Sequence, residues 1–136
     1  MGCDIHVHFE IKLNGKWEHY SQPRIRRNYE LFGKIAGARA SDIKPIHSPR
    51  GLPADCSIMT KFCSDTWGVD GHTHGWLDAT EIMKIMFFHE HITKNKMIAH
   101  EEWGYLFGGG WNNFLEFRQS YPEEIEDIRM IFWFDN

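Results

Sequence analysis

Met1-Gly-Cys-Asp-Ile-His-Val-His-Phe-Glu-Ile11 alternates polar and apolar residues without a break. Asp4, His6, His8 and Glu10 share one parity; Cys3, Ile5, Val7, Phe9, Ile11 and Leu13 share the other. A strand sends successive side chains to opposite faces, so the stretch reads as a half-buried strand. One face belongs to a core. The other is a row of four ionisable groups that can bind a metal or move a proton, where an ordinary solvent face would carry Lys, Thr and Ser.

Working outward, the strand runs into Asn14-Gly15, the strongest short hairpin signal in the chain. Lys16 to Tyr20 is the expected returning strand, with Leu13 opposite Lys16, Lys12 opposite Trp17 and Glu10 opposite His19. His19 thereby joins the polar face, where the ordinary reading is a surface cross-strand pair. At the far end, Asp127 to Asn136 is rich in strand formers. Its unbroken apolar run Met130–Phe134 predicts an inner strand covered on both faces, beside the first strand.

Helices are signalled between these ends. Asn28 is the expected N-cap of a helix whose apolar face is Tyr29, Leu31, Phe32, Ile35 and Ala36, ending at Gly37. Residues 38–53 read as loop, with Pro45, Pro49, Gly51 and Pro53, and a short helix from Ala54 to about Lys61 follows. Asp78 with Glu81 predicts a capping box, and Leu77 with Ile82 a hydrophobic staple. Ile82, Ile85, Met86 and His89 form the buried stripe of that helix, widened by Met83 and Phe87. Ile98–Phe107 and a segment from Trp111 to Arg118, ended by Pro122, read as further helices around the Gly108-Gly-Gly110 break. Together these predict one α+β domain over residues 1–136: a small mixed or antiparallel sheet holding the N-terminal hairpin and the C-terminal strand, packed with three or four helices.

Composition narrows function. The net charge of −4 argues against broad binding to a nucleic-acid backbone, which needs a basic surface. Three cysteines, Cys3, Cys56 and Cys63, with no Cys-x-x-Cys, predict neither a disulfide framework nor a cysteine-rich zinc site and favour the cytosol. No apolar run approaches the ~20 residues that span a bilayer, and no signal peptide is read.

The second chemical stretch is Trp67-Gly-Val-Asp-Gly-His-Thr-His-Gly-Trp-Leu77, read as an irregular glycine-rich loop in which Asp70, His72 and His74 repeat the composition of Asp4, His6 and His8. Ligands two apart on a strand project from one face, so Asp4, His6 and His8, with His72 and His74 from the loop, form a candidate site for a divalent ion, zinc or manganese, that activates a water. Asp70, His72 and Arg50 are the candidate catalytic residues. Arg27, Arg50, Trp76 and Tyr29 are the candidates for holding a small anionic substrate or nucleotide. The competing readings are ordinary: solvated arginines, a loop arginine capping a carbonyl, and tryptophans that pack a core. A two-histidine phosphoesterase fits less well, since neither His72-Thr73 nor His6-Val7-His8 places a hydroxyl two residues after its histidine.

Met1-Gly-Cys-Asp-Ile-His6 with Glu10, Arg27-Asn-Tyr-Glu-Leu-Phe32, Arg50-Gly-Leu-Pro53, Asp70-Gly-His-Thr-His-Gly-Trp-Leu77 and Phe132-Trp-Phe-Asp-Asn136 resemble a family of small uncharacterised proteins of phages and bacterial genomes. The resemblance spans nearly the whole chain. It implies a cytosolic protein, often of phage origin, and a shared polar set of Asp4, His6, Glu10, Arg27, Arg50, Asp70 and His72. Two functions are therefore expected from different classes. One is a metal-dependent hydrolase of a phosphorylated or nucleotide-like substrate. The other is a non-catalytic phage protein that binds a nucleotide signal or a host protein.

Overall fold

The computed structural model describes residues 2–40, 42–104 and 125–135. In chain order these form β1 (Asp4–Leu13), β2 (Lys16–Ser21), α1 (Tyr29–Ala36), α2 (Ile58–Trp67), β3 (Gly71–Asp78), α3 (Ala79–Thr93), α4 (Lys96–Glu102) and β4 (Asp127–Asp135), with a 3-10 turn at Gly68–Asp70 before β3. The four strands make one antiparallel sheet in the order β2-β1-β4-β3. No helix among the described residues is long and apolar enough to cross a membrane.

The alternation of β1 sorts the molecule into layers. Ile5, Val7, Phe9 and Ile11 lie opposite Phe134, Phe132, Met130 and Ile128 of β4, and all of these are buried. Helices α1, α3 and α4 supply Leu31, Phe32, Ile82, Ile85, Met86 and Ala99 to the same core. On the other face His6, His8 and Glu10 lie opposite Trp133, Ile131 and Arg129. That face is not open to water: α2 lies across it, and His8 and Glu10 are fully buried. The apolar run of β4 follows directly, its even residues entering the helical core and Ile131 and Trp133 the layer beneath α2.

The hairpin forms as read: Asn14 and Gly15 take left-handed backbone angles, and Leu13, Lys12 and Glu10 face Lys16, Trp17 and His19. Asn28 caps α1, which closes at a left-handed Gly37. The capping box of Asp78 and Glu81 opens α3, whose buried stripe is Ile82, Ile85, Met86 and His89. Phe87, expected on that stripe, is half exposed, because it lies on the side of α3 turned from the sheet.

Two elements differ from expectation. Residues 71–78 are a strand, not a loop, because Gly75 lets the Phe132 ring lie against the β3 backbone: a Cβ there would stand 2.6 Å from the ring. A bulge between His72 and Gly75, with Thr73 at a left-handed φ of 57°, breaks the alternation. The helix expected from Ala54 instead begins after Ser57, whose hydroxyl accepts the Thr60 N–H, and runs to Trp67. Of the expected C-terminal helices, α4 covers only Lys96–Glu102. The continuation to Phe107, the Gly108–Gly110 break and the Trp111–Arg118 segment lie outside the described residues.

Candidate functional site

The layer between α2 and the sheet is built on Glu10. Its carboxylate accepts from Arg129 Nε and Nη2 at 3.1 and 2.8 Å on one oxygen, and from Ser57 N and Thr60 Oγ1 at 2.8 and 2.7 Å on the other. Burial pushes the Glu10 carboxyl up, but these donors outweigh it and hold the group below the usual carboxylate value. Arg129 also meets Asp55 and lies over the Trp17 ring, 4.0 Å from its centroid. The cluster ties β1, β4 and the start of α2 together.

Next along β1, His8 Nδ1 lies 3.0 Å from His19 Nε2. Burial, then the neighbouring His19, push His8 down to about 4, and burial lowers His19 too, so the pair is neutral at pH 7. Trp133 occupies the centre of the layer. The rings of His6, His8 and His74 all stack on it, with centroids 5.8, 5.0 and 5.6 Å away. His74 Nε2 lies 3.1 Å from Ser64 Oγ of α2, and burial, then the nearby His72, lower its pKa.

The layer opens at His6. Its Nε2 lies 2.5 Å from Asp135 Oδ2, and its ring meets Trp67 at 4.4 Å. β2 pairs with β1 only as far as Phe9, and the chain then diverges through Gln22–Ile25. A cleft of about 470 Å³ fills the space left beside β1, lined by Asp4 to Val7, Gln22 to Ile25 and Trp67. Arg24 is the exposed cation on its wall.

The residues singled out from sequence fall into separate places. Asp4 and His6 both line the cleft, but Asp4 is held by Arg27, which donates Nε and Nη2 at 2.9 and 3.0 Å. That pairing holds the Asp4 carboxyl below its usual value. Arg50 donates to both Glu81 oxygens and to the Trp76 carbonyl, with its guanidinium 4.3 Å from the Trp76 ring centroid. Both arginines expected to hold an anion thus carry a carboxylate, and Trp76 is a platform for Arg50. Tyr29 accepts from the Cys3 N–H through its hydroxyl and lies under Arg39. Asp70 is exposed in the turn before β3.

His72 lies opposite Phe134 and stacks on it, whereas His6 lies opposite Trp133. Consecutive residues of β4 face opposite ways, so the sheet does not bring His6 and His72 together. It does bring His6, His8 and His74 around one indole. Among the described residues, no group of three or more His, Cys, Asp or Glu side chains is arranged to hold a metal ion.

Three participants escaped the sequence reading, Asp135, Ser64 and Arg129, whereas Arg24, with Arg26 and Arg27, reads from sequence as either an anion site before the α1 N-terminus or solvated charge. For Asp135 and Arg129 a signal was present. Once β4 is placed antiparallel to β1, the residues beside Asp4 and Glu10 follow from register. Compared with known proteins, the chain matches no family model, no curated protein and no solved structure.

Proposed function

We propose that the cleft beside β1 is the site of a hydrolase acting on a phosphorylated or nucleotide-like ester, with His6 as its general base. The observation that carries this reading is the 2.5 Å contact between His6 Nε2 and Asp135 at the wall of a cleft that also holds Arg24. The carboxylate holds the proton on Nε2, which leaves Nδ1 as the basic nitrogen. Nδ1 takes a proton from water, the oxygen attacks phosphorus, and the ester oxygen departs with its bonding pair and receives that proton. Asp135 stabilises the imidazolium between these steps. Arg24 supplies the positive charge for the phosphate in place of Arg27 and Arg50. In a metal-dependent form of the proposal, His6 and Asp135 would be among the residues that hold a zinc or manganese ion, which would supply an activated water in place of the general base. A cytosolic setting and a phage origin enter from the sequence resemblance.

The test is turnover of bis(4-nitrophenyl) phosphate and of nucleotides by untagged protein, with metal content measured beside it by elemental mass spectrometry. General-base catalysis predicts a loss of about 10²–10⁴-fold in His6→Ala with no change in metal content. Near-stoichiometric metal that disappears in His6→Ala supports the metal-dependent form. No turnover by the wild type, with or without added zinc or manganese, overturns the hydrolase.

One observation favours a second reading, a nucleotide-binding protein without catalysis: Trp67 stands partly exposed at the cleft and offers a stacking surface for a base. Nucleotide binding that quenches tryptophan fluorescence, is lost in Trp67→Ala and proceeds without turnover supports it.

A further inference from the structure

Helix α2 is amphipathic the wrong way round. Its inner face is polar: Ser57 and Thr60 hold Glu10, and Ser64 meets His74. Its outer face is apolar. Ile58 is 87% exposed, Met59 52% and Phe62 69%, and Val69 in the following turn is fully exposed. A surface helix ordinarily buries its apolar stripe and shows water its polar one. Here the sheet beneath has taken the polar side, and the apolar side has no neighbour among the described residues. Ile58 and Phe62 lie one turn apart on the outward face of α2, and Val69 stands exposed in the turn that follows the helix. With Met59 they expose on the order of 600 Å² against ~800 Å² per partner in a standard interface. A patch of this size stands at the upper end of the largest apolar patches of monomeric proteins, which are often functional.

We infer that this face is a dimer interface in which α2 packs antiparallel against α2 of a second copy about a two-fold axis. Charge complementarity selects this occupant. Lys61 and Asp65 flank the strip on one side, one turn apart, and pair within the helix at 2.8 Å. In an antiparallel pair about a two-fold axis, each flank meets the same flank of the other copy. Lys61 then lies opposite Asp65 of the second copy, and Asp65 opposite its Lys61, so one sequence satisfies both sides. The same register places Ile58 near the turn that holds Val69 of the second copy, with Phe62 near the axis. An anionic membrane surface is the poorer fit, since Lys61 is the only cation on the helix and already has a carboxylate. The pairing does not depend on whether the cleft hydrolyses or only binds. It does bear on the cleft, because Trp67 is one of its walls.

Sedimentation velocity of the untagged full chain over a dilution series tests the inference. The wild type is expected to show a monomer–dimer equilibrium with Kd on the order of micromolar, as suits an interface below standard size. Phe62→Glu is expected to sediment as a monomer at every concentration. Lys61→Glu sets like charges across the axis and weakens association at least tenfold. Lys61→Glu with Asp65→Lys restores the complementary pattern and recovers it. Circular dichroism confirms folding of each variant; Val69→Glu, at a fully exposed position, replaces Phe62→Glu if the latter is unfolded. A dimer unaffected by the Phe62 or Val69 change overturns the inference, as does charge reversal that the double swap fails to rescue. A wild type that stays monomeric also overturns it. Binding of that monomer to phosphatidylserine vesicles would assign the face to a membrane.

Discussion

Glu10 is the residue on which the polar layer turns. It is a fully buried charge with four donors, and its guanidinium partner is 119 residues away in sequence. Removing one member of such a pair strands the other without solvent. Arg129→Met is expected to destabilise the fold by about 3–5 kcal/mol in urea denaturation, and Glu10→Leu added to it should recover part of that loss. His8 gives the layer a pH dependence of known sign. Its folded value of about 4 lies below the ordinary 6.5. The unfolded chain therefore binds a proton between pH 6.5 and 4 that the folded chain does not. Stability from this group is whole above 6.5 and falls through that window, by up to roughly 3 kcal/mol. The depressed His19 and His74 act in the same direction, and Glu10 adds a further loss below its ordinary 4.5. Urea titrations of wild type and His8→Phe at pH 7, 6, 5 and 4 measure the effect as a shallower slope in the variant; parallel slopes would remove His8 as its source.

At the level of elements, β3 is the one held by a missing side chain. The Phe132 ring lies where a Cβ of residue 75 would stand, so Gly75→Ala is expected to cost about 1–3 kcal/mol by overpacking, read from the urea midpoint. An unchanged midpoint would mean that the ring yields. The same glycine explains why β3 was not legible. Asp70-Gly-His-Thr-His-Gly75 has no alternation, its glycines signal a turn, and the strand exists through pairing with distant Phe132 and Phe134. Helix α2 was misplaced for a related reason. Its inward residues Thr60 and Ser64 are polar and its outward ones apolar, so it has no stripe aimed at a core. By contrast the hairpin, α1, α3 and β4 were legible, because Asn14-Gly15, the Asn28 cap, the Asp78–Glu81 box and the Met130–Phe134 run are local signals.

Across the whole molecule, the layers decide which candidate residues can act together. The parity of Asp4, His6, His8 and Glu10 correctly placed them on one face, but parity does not say what covers that face. Nor does it say on which side His72 and His74 emerge, since a one-residue bulge reverses the faces of a strand. The consequence reaches beyond the finished structure. β4 follows every other described strand in the chain yet pairs with both β1 and β3, which do not touch each other. During synthesis the β1–β2 hairpin can form early, but β3 has no strand to lie against until residues 127–135 leave the ribosome. His6 meets Asp135 only across 129 residues. Closing so distant a pair makes folding slow relative to a chain of local contacts. A product released before β4 would lack both the strand that joins β1 to β3 and the His6–Asp135 pair at the cleft wall.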